Sequence, residues 1–404
     1  MDLHVGAPFW LLCNGLDARH PVLSAPEHCD VVILGAGITG ALCAERLTRE
    51  GLDVVMLDSR EPGLGSTAAS TSLLLYETDL ELGELMARVG KRTAVRAWAL
   101  GRDAIREIGR LSESLAAHCD YDALHSLYLA SRKRDAKRLR DEVAVRTRHG
   151  FDATFVEAEQ VTARFGYESH GAIESPGAAR MDPLRFTRAL LSAAGARGAR
   201  VYARSTATSY ETTESGVRLR TDRGFDVVAH RVIFATGYEL PDLFPEDLAQ
   251  LHSTFALVTE SADVVPEALR THVVWESSRP YAYLRATPDG RLMIGGRDSP
   301  FKSPALRDRA LPRKTRLLEA RLRELHPGRS HSTAFSWSGT FGETRDSLPC
   351  IGALANYPRG YFALGLGGNG ITFSVVASQI LCDLCQDREN ADAPLFDLDR
   401  PSLR

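Results

Sequence analysis

Residues 29–40 read Cys-Asp-Val-Val-Ile-Leu-Gly-Ala-Gly-Ile-Thr-Gly, an apolar run followed by a turn with three glycines. The apolar run predicts a parallel β-strand covered on both faces, because such strands are hydrophobic along their whole length. Gly35 predicts a tight turn, Gly37 a close approach of the backbone to a pyrophosphate, and Gly40 close packing of the next helix on the strand. A second apolar run ends at Asp58, where a carboxylate can accept hydrogen bonds from ribose hydroxyls. The stretch therefore predicts a dinucleotide-binding β–α–β unit; Asp58 disfavours NADP, and FAD and NAD both stay open.

The composition is that of an ordinary globular protein with room for two domains. The 404 residues are too many for one small core, and 44% of them are hydrophobic and 25% are charged. A formal net charge of −3 gives no electrostatic reason to expect nucleic acid or an anionic membrane as a partner. No apolar stretch approaches the length of a membrane span. We therefore expect a site for a small molecule.

The cysteines give information about the cellular compartment. There are seven, an odd number without the spacing of a disulfide framework, which indicates a reducing compartment. Cys382 and Cys385 form a Cys-x-x-Cys pair with no second pair and no nearby histidine, so no metal is predicted there. The apolar stretch 8–13 is too short for a signal peptide. These features predict a cytoplasmic protein.

Three later stretches complete the nucleotide-binding unit. Residues 65–72 form a loop of small and hydroxyl-bearing residues, which can offer N–H and O–H donors to a charged ligand. Residues 231–237 predict a buried strand that ends in a turn of small residues. Residues 361–372 predict a strand, a glycine turn and a helix, and so provide a second helix N-terminus for a negatively charged group. One sheet is thus expected to be assembled from distant parts of the chain.

A second, strand-rich region is predicted between these stretches. Residues 281–296 predict a β-hairpin whose turn is Thr-Pro-Asp-Gly, and residues 311–325 predict a helix. The alternation in 201–202 and 217–220 predicts a small antiparallel sheet.

Taken together, these stretches resemble the FAD-dependent family of D-amino-acid oxidase, glycine oxidase and the sarcosine oxidases. The resemblance follows the family's order through nearly the whole chain, in residues 35–58, 65–72, 234–237, 289–296 and 367–372. It implies an α/β fold, α+β overall, in which a Rossmann-like FAD-binding domain is interleaved with a mixed-sheet substrate domain in the glutathione-reductase-type two-domain architecture. The implied boundaries are 28–80, 171–250 and 337–404 for the FAD-binding domain, 81–170 and 251–336 for the substrate domain, and 1–27 for an N-terminal arm.

The resemblance also implies which residues hold FAD. Asp58 would bind the adenosine ribose, and the turn 367–372 would present N–H groups to the flavin pyrimidine, where the reduced ring carries negative charge. The full implied set is Gly35, Gly37, Ile38, Thr39, Gly40, Asp58, Ser59, Arg60, Ser66, Thr67, Ala68, Ser70, Thr71, Ser72, Ala207, Ala235, Thr236, Gly237, Gly339, Gly367, Gly368, Asn369, Gly370, Ile371 and Thr372. Monomeric sarcosine oxidases attach flavin to a cysteine where this chain has Gly339, and residues 63–75 contain no histidine. We therefore expect non-covalent FAD.

The implied reaction is hydride transfer to flavin N5 from a carbon that bears a primary or secondary amine, in an amine or an amino acid. The product is an imine that water hydrolyses. A side-chain base is not required, because the flavin carries the chemistry. Met293 replaces the lysine with which relatives activate dioxygen, so the expected acceptor is dioxygen or another oxidant. Two alternatives are oxidation of a hydroxy acid or alcohol, and FAD binding without turnover.

The substrate residues are less well defined, and no catalytic residue is assigned. Phe341 stands where the family's amino-acid oxidases have a carboxylate-binding arginine, and a phenyl ring cannot form that bidentate pair. Arg285 or Arg345 could compensate for this loss. The other candidates for substrate contact are Tyr76, Glu77, Trp275, Tyr281 and Tyr283. Glu77 is the predicted counter-charge for an amine held between aromatic walls.

Overall fold

The computed structural model describes residues 2–16, 20–239, 249–261 and 265–403, so parts of the predicted arm and of both predicted domains lie outside it. The strands, in chain order, are β1 (His4–Gly6), β2 (Glu27–Leu34), β3 (Val54–Leu57), β4 (Leu73–Leu74), β5 (Asp122–Leu129), β6 (Thr154–Val156), β7 (Ala172–Arg180), β8 (Arg200–Tyr202), β9 (Ala207–Thr212), β10 (Val217–Thr221), β11 (Asp226–Phe234), β12 (Ala249–Thr259), β13 (His272–Glu276), β14 (Ala282–Ala286), β15 (Leu292–Pro300), β16 (Thr333–Thr344), β17 (Cys350–Ala353) and β18 (Gly360–Leu364). The helices are α1 (Phe9–Asn14), α2 (Ile38–Arg49), α3 (Ser66–Ala69), α4 (Leu82–Val89), α5 (Lys91–Ser114), α6 (Lys133–Arg148), α7 (Ala158–Phe165), α8 (Pro183–Ala196), α9 (Ala268–Thr271), α10 (Pro304–Leu325) and α11 (Gly370–Cys385), followed by 3₁₀ turns at Ala393–Phe396 and Pro401–Leu403.

The first sheet has the strand order β17-β18-β11-β2-β3-β8 and carries the predicted nucleotide-binding unit. Its central strand β2 is parallel to β3 on one side and to β11 on the other. Val31 and Ile33 pack with helices α2, α8 and α11, whereas Val32 and Leu34 pack on the opposite face with β10 and the C-terminal residues. The apolar run 31–34 is therefore buried on both faces, as the sequence predicts.

The position of β8 differs from the prediction. Residues 201–202 were expected to join 217–220 in an antiparallel sheet, but β8 pairs in parallel with β3, with Leu57 opposite Tyr202. The strands that do pair with β10 are β9 and β11, both antiparallel. The reason lies in the crossover through α8, which returns the chain to the parallel sheet beside β3 and buries Val201 there.

The second sheet is mixed and follows the order β1-β16-β12-β15-β14-β13-β5-β7-β4. Successive side chains of a strand point to opposite faces. On β14, Ala282, Leu284 and Ala286 pack into a core that helix α10 covers, and Tyr283 lies between them on the other face. That other face is turned toward the first sheet. The predicted hairpin is confirmed, since β14 and β15 pair antiparallel.

Strand pairing places the boundaries between the two sheets at different residues from those predicted for the two domains. Strand β7 pairs with β5, and β16 pairs with β12 along its whole length, so residues 172–180 and 337–344 belong to the second sheet. The N-terminal arm also joins this sheet, through pairing of β1 with β16. Phe9 and Trp10 are both buried. These exchanges between segments make the two units more interleaved than the sequence indicated.

Helix α10 begins at Pro304, seven residues before the predicted start. Ser303 caps it, with its hydroxyl oxygen accepting a hydrogen bond from the N–H of Leu306 at 3.2 Å. Serine followed by proline is a common helix start. Pro312 lies inside the helix and interrupts the pattern from which the sequence analysis located the element. Among the described helices, none combines the length and the apolar character that crossing a membrane requires.

Candidate active site

A cavity of about 1250 Å³ opens where the carboxyl ends of β2, β3 and β11 face the second sheet. The predicted residues that line it are Gly35, Gly37, Ile38, Thr39, Asp58, Ser59, Arg60, Ser66, Thr67, Ser70, Thr71, Ser72, Glu77, Ala207, Ala235, Thr236, Gly237, Trp275, Tyr281, Tyr283, Gly339, Phe341 and Gly367 to Thr372. Ligands of open α/β sheets bind outside the carboxyl ends of the strands, and the cavity has that position. Five predicted residues, Gly40, Ala68, Tyr76, Arg285 and Arg345, do not line it.

The glycine turn is fixed by close backbone contacts. Gly35 has a φ of +99°, and a Cβ there would lie 2.4 Å from the carbonyl oxygen of Ala235. A Cβ on Gly40 would lie 1.9 Å from the carbonyl oxygen of Gly35. Gly40 therefore does not touch a ligand; it lets helix α2 approach the turn from below, in agreement with the packing role expected from the sequence.

Gly40→Ala is expected to cost at least about 1–3 kcal/mol of folding free energy and to reduce bound FAD, because the clash is with backbone that cannot move aside cheaply. Gly195→Ala is the matched control, since Gly195 lies in helix α8 and a methyl group added there would meet no atom within 4 Å. That control is expected to be neutral or slightly stabilising. Flavin content per chain and the midpoint of urea unfolding measure both effects. Equal behaviour of the two variants would contradict the packing role of Gly40.

Asp58 fastens the glycine turn to the end of β3. Its Oδ2 accepts a hydrogen bond from the N–H of Ala36 at 2.7 Å, and its Oδ1 accepts one from the N–H of Arg60 at 2.7 Å. Burial raises the pKa of Asp58 above its usual value, and these two N–H donors oppose that shift. Each carboxylate oxygen keeps a further lone pair for a ribose hydroxyl. The neighbouring Arg60 is paired with Glu239, whose Oε1 lies 2.6 Å from Nη2.

Two helices direct their N-termini into the cavity. Neither α2 nor α11 has an acidic residue in its first turn or a hydrogen bond from the side chain of its N-cap residue. Thr67 accepts a hydrogen bond from the N–H of Ile38 at 3.0 Å. The side chain of Asn369 instead donates to the carbonyl oxygens of Leu75 at 2.8 Å and Glu77 at 3.1 Å. Two positive helix ends suit a ligand that is negative in two places, such as the pyrophosphate and the pyrimidine of FAD.

Four aromatic side chains form the wall on the side of the second sheet: Trp275, Tyr281, Tyr283 and Phe341. Trp275 stacks on Tyr128 with ring centroids 3.8 Å apart. Its indole N–H donates to Ser126 at 2.8 Å, so the ring is held firmly. Trp275 lies on β13 and Phe341 on β16, whereas Tyr283 lies on β14 and Tyr281 directly precedes that strand, so three segments of the chain supply the wall.

Tyr283 owes its position to a glycine on the neighbouring strand. Gly295 is its register partner, and a Cβ on Gly295 would lie 2.5 Å from the tyrosine ring. The side chain of Tyr283 lines the cavity together with Thr71 and Thr254. Burial raises the pKa of Tyr283 to about 12, so the phenol stays protonated at neutral pH. The predicted lining role of Tyr283 therefore has a defined structural basis.

The sequence analysis missed two acids beside this aromatic wall. Asp298 lies near the end of β15, lines the cavity, and has a buried Oδ1 without a hydrogen-bond partner among the described residues. Burial raises the pKa of Asp298 to about 6. Asp79 accepts a hydrogen bond from the hydroxyl of Tyr281 at 3.0 Å and lies 3.6 Å from Arg279. The available signal was an acid at the end of a strand that is otherwise apolar, but no motif surrounds it.

The predicted counter-charge role of Glu77 does not agree with the structure. Glu77 forms a buried ion pair with Arg146, and the Nε of Arg146 also donates to Glu142 at 2.9 Å. Glu77 and Arg146 are both almost fully buried. The carboxylate of Glu77 is therefore already neutralised by a guanidinium, and Asp298, whose Oδ1 has no hydrogen-bond partner among the described residues, replaces it as the candidate partner of an amine.

Tyr76 and Arg285 belong to the core, which corrects two further predictions. The ring of Tyr76 packs against Phe151, with centroids 5.9 Å apart. Arg285 donates to the carbonyl oxygens of Ser72 at 2.8 Å and Met181 at 3.2 Å. Burial lowers the pKa of Arg285 to about 9. Arg285 thus holds the chain next to the cofactor loop and does not reach a substrate carboxylate; Arg345 does not line the cavity either.

The fold and the site define the class of the protein as a dinucleotide-binding oxidoreductase. The sequence matches the family described as FAD dependent oxidoreductase over residues 30–384, and the chain belongs to that family. It is an FAD-dependent oxidoreductase, and it binds FAD non-covalently; the cavity lining within the described residues contains no cysteine or histidine.

Curated relatives and solved structures extend this likeness over most of the chain. The gamma-glutamylputrescine oxidoreductase of Escherichia coli is 26% identical over 93% of this chain and 88% of its own length. A probable oxidoreductase OrdL of Haemophilus influenzae is 22% identical over 91% of this chain and 85% of its own length. The crystal structure of glycine oxidase from Geobacillus kaustophilus has a TM-score of 0.77 at 21% identity and covers 94% of this chain and 99% of that structure. The interleaved two-domain fold predicted from the sequence is thereby confirmed.

Proposed function

We propose that this enzyme oxidises the C–N bond of a primary or secondary amine. The observation that carries the proposal is the acidic and aromatic wall formed by Asp79, Asp298, Trp275, Tyr281 and Tyr283. Such a wall attracts an ammonium group through charge and through the faces of the rings. The relatives named above include proteins whose names refer to gamma-glutamylputrescine and to glycine, both of which contain an amine.

The charges of the cavity argue against a clamp for an α-carboxylate. Arg60 is the one basic side chain among the described lining residues, and it lies beside Asp58 and pairs with Glu239. Phe341 occupies the cavity wall and stacks on His252, with ring centroids 5.3 Å apart. A carboxylate placed at this wall would meet two acids, and the neighbouring Arg279 is already paired with one of them, Asp79. We therefore favour amines that lack a carboxylate on the reacting carbon.

The side chains of this site have two tasks in the reaction. FAD, when bound, supplies the acceptor for the hydride that leaves the carbon next to nitrogen. Asp298 binds the substrate ammonium and can take up its proton, since its Oδ1 has no other partner among the described residues. The neutral amine then provides the lone pair that forms the C=N bond as the hydride departs, which leaves a protonated imine. Water hydrolyses the released imine to a carbonyl compound and an amine or ammonia.

The electron acceptor that reoxidises the cofactor is dioxygen or another oxidant. Met293, which stands in place of the relatives' lysine, is fully buried and packs with Trp10 and Trp337. A thioether carries no charge that could stabilise superoxide. The proposal is therefore tested without dioxygen first.

The test is anaerobic mixing of the FAD-loaded protein with alkylamines, polyamines and N-acylated polyamines, with amino acids and hydroxy acids for comparison. We expect amines without an α-carboxylate to bleach the oxidised flavin band. Dioxygen is then admitted to show whether the enzyme is an oxidase. Bleaching by hydroxy acids but not amines would favour alcohol oxidation, and bleaching only by dithionite would favour FAD binding without turnover; either result would overturn the proposal.

A further inference from the structure

Three side chains with metal-binding groups meet on the second sheet, away from the cavity. His125 lies on β5, Glu174 on β7 and His272 on β13, and one ligand atom from each lies within 4.8 Å of the others. None of the three lines the cavity. In the part of the chain that the structure describes, this is the one such group of three. Two imidazoles and a carboxylate form a ligand set that zinc enzymes use.

The backbone brings these groups together without strain. Strands β13, β5 and β7 are neighbours in the sheet, and His272 is the register partner of His125. Nε2 of His272 lies 3.2 Å from Oε1 of Glu174. Two ligand atoms of a tetrahedral zinc ion are about 3.3 Å apart, because Zn–N and Zn–O bonds are about 2.0–2.1 Å long. The ring of His125 is exposed, and its ligand nitrogen lies within 4.8 Å of the ligand atoms of the other two residues.

A further contact orients the buried ligand. The other ring nitrogen of His272, Nδ1, is hydrogen-bonded to the hydroxyl of Thr271 at 2.8 Å. The ring of Phe165 packs on the same imidazole, with centroids 5.0 Å apart. Metal-bound histidines are commonly held through the nitrogen that does not bind the metal. Nε2 of His272 is thereby directed at the point between the other two groups.

We propose that His125, Glu174 and His272 form a binding site for a divalent transition metal ion, Zn²⁺ in particular. A fourth position is left for water on the solvent side of His125. The ion would join segments that are distant along the chain. His125 on β5 and Glu174 on β7 come from one stretch, and His272 on β13 comes from a stretch much later in the sequence. The site is thus a structural metal site that stabilises the substrate domain and takes no part in the oxidation.

One neighbouring cation competes with the metal. Nη2 of Arg164 lies 2.8 Å and 3.1 Å from the two carboxylate oxygens of Glu174. The side chain of Arg164 is half exposed, so it can move into solvent when an ion binds. Removing Arg164 should therefore strengthen metal binding if the ion uses the carboxylate of Glu174. An ion bound elsewhere on the surface would not respond to this change.

The test is titration of Zn²⁺ into the FAD-loaded protein with its cysteines kept as thiols. Calorimetry measures the binding, and metal analysis after dialysis measures the zinc that stays bound. His125→Ala is expected to weaken the site at least about tenfold, and Arg164→Gln to tighten it about two- to fivefold. His28→Ala removes another exposed histidine and is expected to bind like the wild type. Zn²⁺ should also raise the melting temperature of the wild type and of His28→Ala but not of His125→Ala.

Two results would overturn this inference. One is equal Zn²⁺ binding by the wild type and His125→Ala, which would place the ion at thiols or other surface groups. The other is unchanged or weaker binding by Arg164→Gln, because release of Glu174 must help any ion that uses its carboxylate. Substitution of the exposed His125 avoids disturbing the core, and flavin absorbance confirms that each variant is folded.

Discussion

Asp298→Asn is expected to lower kcat/KM for the amine substrate by about a hundredfold, because truncating one partner of a desolvated charge pair commonly costs about 2–5 kcal/mol. The carboxylate faces the cavity, and its Oδ1 has no other hydrogen-bond partner among the described residues. Asparagine has nearly the same shape, so the aromatic wall should persist. Steady-state kinetics of the FAD-loaded variant measure the loss, and flavin content should equal that of the wild type.

The pH dependence separates this role from a structural one. Burial raises the pKa of Asp298 to about 6, so the carboxylate is neutral below that pH and loses its attraction for an ammonium. The pH dependence of kcat/KM reports ionisations of the free enzyme and free substrate. Below about pH 6, the slope of log kcat/KM against pH should therefore be steeper by one in the wild type than it is above that pH. Asp298→Asn should lack this additional break.

Asp103→Asn is the matched control, since Asp103 is exposed on helix α5 and its ion pair with Arg106 lies at the surface. It should leave both kcat/KM and the pH profile unchanged. An Asp298→Asn enzyme with wild-type kcat/KM at neutral pH would remove Asp298 from substrate binding. The proposed amine oxidation would survive that outcome if amines still bleached the flavin, so the two ideas are tested separately.

The sequence predicted the cofactor half of the site because its signals are local. Gly35, Gly37 and Gly40 stand within six residues of one another, and the close contacts of the turn show why small residues are needed there. Most of the other predicted cofactor residues also line the cavity, because they occur in short runs and each run forms one local turn. Gly40 and Ala68 are the exceptions: Gly40 packs against the backbone of the turn, and Ala68 is buried outside the cavity lining.

The substrate half could not be predicted in the same way. Trp275, Tyr283 and Phe341 line one cavity because five neighbouring strands, in the order β13-β14-β15-β12-β16, pair in a particular register, and no local spacing reveals that register. Glu77 was taken as a free carboxylate because its partner Arg146 lies far along the chain, in a helix whose other basic residues are exposed. Whether a charged side chain binds substrate or stabilises the core depends on which residue it pairs with, and only the tertiary fold determines that pairing.

Arg146→Met is expected to destabilise the protein by about 3–5 kcal/mol, the typical cost of leaving buried charges without their partner. Arg146 is fully buried between Glu77 and Glu142, and its guanidinium lies 5.0 Å from the centre of the Trp98 ring. Methionine fills part of the space but leaves two carboxylates opposed to each other. The midpoint of urea unfolding, followed by circular dichroism, measures the change.

Arg134→Met is the matched control on the same helix α6, because the side chain of Arg134 is 76% exposed. It should change stability by less than about 0.5 kcal/mol. Adding Glu77→Gln to Arg146→Met should restore part of the stability, since it removes one of the two unpaired charges. A loss in Arg146→Met no larger than in Arg134→Met would show that the buried ions contribute nothing.

The same variant should also affect the site, because the ionic cluster positions the chain that carries Asp79. Glu142 accepts hydrogen bonds from the N–H groups of Leu82 at 2.8 Å and Gly83 at 3.1 Å, just beyond that acid. Asn369, at the start of helix α11, donates to the carbonyl oxygen of Glu77 at 3.1 Å. Where Arg146→Met still folds, we expect KM for the amine to rise, since the segment that carries Asp79 is displaced. A fall in kcat as well would show that the start of helix α11, which Asn369 ties to this segment, has also moved. Under the proposed function, Glu77 would act on amine binding through its place in the core, by holding the segment that carries Asp79 rather than by contact with the amine.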